Sequence, residues 1–131
     1  MYPHKTSQFE IADNISVNGV TNVLASSFAI DRARQMSLFY KLTGSSPNIT
    51  IQVRAYAGLA ENFGQIPDNA DSKWTDWVDV VTSTEKDKWK VVTIDSSIIP
   101  FSAFLGFRIV GVTGNSSDAE VSALVLAQLL R

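Results

Sequence analysis

The sequence predicts an all-β fold: an antiparallel two-sheet β-sandwich, jelly-roll-like, with about eight strands in a single domain over residues 1–131. Three observations carry this. Apolar and polar residues alternate with period two over several short runs, most clearly in "NITIQVRAYA" at 48–57. Clusters of Gly, Ser, Asn and Asp punctuate the chain between those runs. Only the tail, "VSALVLAQLLR", could pass for a helix, and it follows the same turn grammar as the strands before it.

Each element has its own justification. "QFEIAD" at 8–13 and "SSFAID" at 26–31 are short strands separated by the turn signal Asn18-Gly19. In "RQMSLFYKL", 34–42, Met36, Leu38, Tyr40 and Leu42 oppose Gln35, Ser37, Phe39 and Lys41. In 48–57, Ile49, Ile51, Val53, Ala55 and Ala57 oppose Thr50, Gln52, Arg54 and Tyr56. These two runs read as a hairpin, with Gly44 free to take positive φ and Pro47 outside the ladder. Further strands are expected at 74–82, 88–95, 103–113 and 119–129. The segment "VTGNSSDAEVSALVL" at 112–126 repeats the Thr-Gly, Ser/Asn, strand order of "LTGSSPNITIQV" at 42–53 and reads as a second hairpin.

Two features depart from a sandwich with one wet face. Residues 103–112 and 121–130 are apolar on both faces: Phe104, Val110 and Val112 oppose Leu105, Phe107 and Ile109, while Leu124, Leu126 and Leu130 oppose Val125 and Leu129. A strand covered on both sides packs against something besides its own core, which is either a segment of the same chain or a partner. The connection 58–73, "GLAENFGQIPDNADSK", is long for a structureless loop, and such loops are often functional. The candidate partner interface is therefore Tyr2, Phe63, Ile66, Phe104, Leu124, Leu126 and Leu130, with residues 1–8 as an arm that orders on binding.

Composition narrows the function classes. With no cysteine there is no disulfide, thiolate metal site or cysteine nucleophile. A net charge of −2 with dispersed Lys and Arg lacks the basic footprint of a nucleic-acid binder. No apolar run approaches the ~20 residues of a membrane-spanning helix. The start, "MYPHKTSQFEIAD", has no apolar signal core, so synthesis in a cytoplasm is expected.

Catalytic chemistry finds no support. His4, alone of its type, lies next to the terminus, where it is not held against a partner. No Gly-x-Ser-x-Gly elbow or phosphate loop occurs, and Asp76 and Asp79 have the odd spacing that puts strand residues on opposite faces. "DNADS" at 68–72 begins like a calcium loop but lacks its later ligands, so neither metal nor cofactor is expected. Trp74, Trp77 and Trp89 pose the alternative of a sugar-binding platform, with Trp74 and Trp89 its members, since Trp74 and Trp77 would face opposite sides of one strand. The Asn-x-Ser/Thr triplets at Asn14, Asn48 and Asn115 read as turn vocabulary.

The order "FYKLTGSSPNITIQVRAYA", "KWKVVTI" and "FLGFRIVGVTGNSSDAEVSALVLA", with the run Phe107 to Gly111 leading through Thr113-Gly114 into a last strand, resembles the small β-sandwich structural proteins of tailed bacteriophages over residues 28–127. The resemblance implies a non-enzymatic virion component, a capsid decoration or tail-associated protein. Its partner would be the major capsid protein or another virion protein, and it would form homo-oligomers, with a trimer favoured on icosahedral three-fold positions. The alternative is a carbohydrate-binding module or a receptor-binding protein of a tail tip or fibre.

Overall fold

The computed structural model describes residues 5–29, 33–58, 65–95, 97–98 and 104–129. They form eight strands: β1 (Lys5–Ser16), β2 (Asn22–Ala29), β3 (Ala33–Thr43), β4 (Ile49–Ala55), β5 (Val78–Ser83), β6 (Lys90–Ile94), β7 (Phe104–Gly111) and β8 (Glu120–Leu129). Two four-stranded antiparallel sheets result, ordered β1-β8-β3-β6 and β2-β7-β4-β5. This is the eight-stranded jelly roll, the arrangement expected from the sequence.

The core lies between the sheets and is filled by the apolar faces of β3 and β4 that alternation marked and by one of the two apolar faces of β7 and of β8. Met36, Leu38 and Leu42 of β3, Ile49, Ile51 and Val53 of β4, Leu105, Phe107 and Ile109 of β7, and Val121 and Val125 of β8 are all fully buried. β7 lies between β2 and β4, and β8 between β1 and β3, but β3 and β4 are equally central, so place in the sheet does not by itself explain why β7 and β8 are apolar on both faces. Ala123 and Ala127 keep the inner face of β8 small. At the β1/β2 side, Phe9 stacks on Phe28 at 4.2 Å and Phe28 on Phe107 at 5.6 Å, tying the sheets together.

The topology corrects two expectations. Residues 34–42 and 48–57 are not a hairpin: β3 pairs with β6 and β8, whereas β4 pairs with β5 and β7. The second expected hairpin fails likewise, since β7 and β8 lie in different sheets. Only β4 and β5 are neighbours both in sequence and in a sheet. Residues 44–48 and 112–119 are crossovers between sheets, and they dock on each other at one end of the sandwich. Ser45 N and Oγ donate to the Asp118 carboxylate, Ser116 N donates to Ser46 O at 3.0 Å, and Asn48 N donates to Asn115 Oδ1 at 2.9 Å. Gly44, at φ 124, lies so close to this partner that a Cβ would come within 2.9 Å of Ala119 Cα. The repeated Thr-Gly grammar is thus one clasp made from two loops.

Another crossover, from β1 to β2 around Gly19, joins the same clasp. Asn115 Nδ2 donates to Val17 O at 2.8 Å and to Gly19 O at 2.9 Å. Gly111 accepts the close approach of this turn, since a Cβ there would overlap Gly19 O. Gly19 itself has φ 64, the positive value the Asn-Gly signal predicted.

Candidate functional site: the two outer sheet faces

The outer faces of the two sheets have opposite fates. On the β2-β7-β4-β5 sheet, Thr50, Arg54 and Tyr56 occupy the side that alternation expected to be wet, yet all three are buried. Thr50 shares a hydroxyl–hydroxyl hydrogen bond with Thr82 of β5, while the segment between β4 and β5 covers Arg54 and Tyr56. Its base is closed by the Tyr56–Trp74 bridge, with Ala57 N donating to Lys73 O and Thr75 N to Ala55 O. Tyr56 then packs edge-on against Trp74 at 5.2 Å and Phe104 at 5.9 Å.

Phe104 is consequently 2% exposed and buried by its own chain, which removes it from the predicted interface. Trp74 leaves the predicted sugar platform for the same reason, and its indole N–H is spent on Asp68 O at 2.9 Å. The parity argument that separated Trp74 from Trp77 also fails, because β5 begins only at Val78. Both indoles instead hold the Arg54 guanidinium, each with its ring centre 4.5 Å away, and Arg108 lies 4.7 Å from Trp77. Burial, and then the charge of Arg108, pull Arg54 below its ordinary pKa.

The acids of this segment serve the loop. Asp68 Oδ1 accepts from Ala70 N, while Asp71 accepts from Lys73 N and from the Tyr56 hydroxyl. These bonds, that from Lys73 first, hold the Asp71 carboxyl below its usual pKa. Asp79 accepts from Gln52, which in turn accepts from Arg108 Nε. Among the described residues no three His, Cys, Asp or Glu side chains converge as metal ligands.

The outer face of the β1-β8-β3-β6 sheet is different: it carries an apolar row that described residues leave open. Leu124 of β8 is flanked by Glu10 of β1 and Phe39 of β3, and Phe39 by Val91 of β6. Leu124 and Phe39 are half-buried and Val91 is 58% exposed. The next row holds Leu126 between Gln8 and Ser37. On the other side, Trp89 is 52% exposed just before β6, two residues from Val91. An apolar stripe therefore runs from the middle of the sheet to its β6 edge, with polar residues along the β1 edge. Exposed contiguous apolar surface of this kind marks contact sites.

Of the interface residues expected from sequence, Leu124 and Leu126 lie on this face, and Ile66 is 43% exposed on the β4–β5 segment. Tyr2, Phe63 and Leu130 lie outside the described residues. Sequence reasoning missed Phe39 and Val91. The signal for Phe39 was its place as the sole apolar residue among Gln35, Ser37 and Lys41. Val91 gave none, because its position beside Phe39 depends on a pairing across more than fifty residues. Trp89 was noticed, but as a sugar platform with a Trp74 that is buried against the other sheet.

No protein-family model and no curated protein matches the chain. Among solved structures, the fold is similar to that of a chain in the T13 viral particle of infectious bursal disease virus. The identity is 10% and the TM-score 0.55, covering 95% of this chain and 31% of that one. A chain in the structure of the Gt strain of the same virus is similar at 12% identity and a TM-score of 0.51, with 95% and 32% covered. The protein thus spans about a third of the viral chains it resembles, and at these identities the likeness is one of fold: a jelly roll shared with chains of a viral particle.

Proposed function

We propose that this protein is a non-enzymatic structural component of a virion, a capsid decoration protein of the kind found in tailed bacteriophages. It binds the major capsid lattice and other copies of itself, as a trimer at three-fold positions. The observation that carries the reading is the apolar row Leu124–Phe39–Val91 with Leu126 and Trp89 beside it, on the outer face of a jelly roll. Burying such side chains against a partner yields about 25 cal/mol per Å2 of apolar area, less the cost of association. The fold shared with chains of an icosahedral virus particle supports this setting. Exposed Ile66 on the β4–β5 segment is a second point of contact.

The rival reading, a sugar-binding module, would require Trp74 and Trp89 on one surface, and the burial of Trp74 weighs against it. The deciding experiment is quantitative mass spectrometry of purified particles, counting this chain against the major capsid protein. About one copy per capsid subunit is expected. A few copies per particle would move it to the tail, and absence from particles would overturn the reading.

A further inference from the structure

The four sheet edges are not alike. β1 shifts register against β8 between Glu10 and Ala12 and again before Ile15; β2 shifts against β7 between Leu24 and Ser27; β5 shifts against β4 opposite Ile51/Gln52. Such bulges are a standard protection of an edge strand against pairing with another chain. β6 has none, and Lys90 to Ile94 pair with Tyr40 to Met36 in unbroken register. Among the described residues no strand pairs with its other side, which offers backbone N–H and C=O groups at every second residue of a regular strand. Lys90, which could have guarded this edge, is held back by its own chain, with Nζ 2.6 Å from Glu85 Oε2.

The apolar row ends at this same edge, with Val91 and Trp89 as two of the most exposed large hydrophobic side chains among the described residues. The charges around β6 are also unequal at its two ends: Lys86, Lys88 and Lys90 outnumber Glu85 and Asp87 at its start, and Asp95 stands just past its end. An antiparallel neighbour of the same sequence would bring the lysine-rich start of each copy's strand alongside the Asp95 end of the other. A parallel one would set like charges together. The edge is thus complementary to itself under a two-fold axis, the symmetry of an isologous contact.

We propose that β6 pairs antiparallel with β6 of a second copy, joining two β1-β8-β3-β6 sheets into one continuous sheet with an unbroken apolar stripe on its outer face. This deepens the preceding reading, on which it rests for its setting: the two-fold contact links neighbouring assemblies on the lattice, and the stripe faces the capsid. Five residues of edge bury less area than a standard interface, so the contact is weak for the isolated chain and gains from the local concentration a lattice imposes.

The absence of cysteine permits a clean test on the isolated protein. Val91→Cys, Thr93→Cys and a mixture of the two chains are exposed to mild oxidant, with Leu24→Cys on the bulged β2 edge as reference. Together the three samples cover the registers that bring outer-face residues of β6 directly opposite one another. At least one is expected to cross-link about tenfold faster than the reference. Trp89→Lys in the same chain is expected to suppress that cross-link, and the backbone amides of 90–94 should gain exchange protection as protein concentration rises. Rates no faster than the reference, or fast cross-linking with no concentration-dependent protection of β6 amides, would overturn the strand pairing. Because particles play no part, failure here leaves the virion assignment to the mass-spectrometric count.

Discussion

Replacing Asn115 by alanine tests the clasp that holds one end of the sandwich. The Asn115 side chain is 9% exposed and belongs to three hydrogen bonds: its amide donates to Val17 O and Gly19 O, and its Oδ1 accepts from Asn48 N. One residue thereby joins the β1–β2, β3–β4 and β7–β8 crossovers. Truncation leaves two carbonyls and one N–H without their partner in a site water reaches poorly. At about 1 kcal/mol per bond, with more for groups left buried and unsatisfied, the cost is about 3 kcal/mol. For a domain of this length that corresponds to a fall in Tm of roughly 10 °C. Urea unfolding followed by tryptophan fluorescence reads the free energy directly, with an unchanged m-value as the sign that only stability has moved. Asn115→Asp separates the bonds: it keeps the acceptor for Asn48 but turns a carboxylate toward two carbonyls, so it should cost at least as much as alanine above the carboxylate pKa and less below it. A loss under about 0.5 kcal/mol for Asn115→Ala would refute the account, because it would mean the crossovers hold their positions without the clasp.

Four further outcomes follow from the same structure. Gly111→Ala should be among the most destabilising single changes, since its Cβ would overlap Gly19 O; a calorimetric Tm near the parent's would contradict the close approach. Phe104→Ala should cost about 3–4 kcal/mol by leaving a cavity under Tyr56 and Trp74, and should leave particle binding of the folded fraction unchanged, as pull-down with purified particles will measure. Leu124→Glu should do the reverse, keeping a cooperative melt while abolishing particle binding; if it unfolds the chain, Leu124 belongs to the core instead. The Asp118 carboxyl is held below its usual pKa by the Ser45 backbone N–H first and then by the Ser116 and Ser45 side chains. Its contribution is therefore complete above the unfolded-state pKa of about 3.9 and disappears as pH falls through the lower folded value. Asp118→Asn should flatten the acid limb of the stability profile, and an unaltered limb would count against the bond.

What was legible in the sequence was local. A residue's face in a strand is fixed by its neighbours two positions away, so alternation set Met36, Leu38, Ile49, Ile51 and Val53 on the apolar faces that prove to be core, and separated Phe107 and Ile109 from Phe104, and Val125 from Leu124 and Leu126, without saying which of those faces is the inner one. The turn residues marked the chain reversals around Gly19, Gly44 and Gly114, though not that each crosses between sheets. Where regular alternation was extrapolated past a strand end, as from Val78 back to Trp74, the face assignment failed.

The sequence by itself determined the all-β class, about eight strands and the inner faces of β3 and β4. Tertiary structure alone decided which strands pair. Pairing joins residues far apart in the chain through backbone groups common to nearly all of them, so two runs flanking a Thr-Gly turn can form a hairpin or, as here, cross between sheets. That choice had consequences no local pattern carries. It laid the β4–β5 segment over Phe104, turning an expected interface residue into core. It also set Phe39 and Val91 beside Leu124, assembling an apolar row from three strands of which only β8 stands out when read alone.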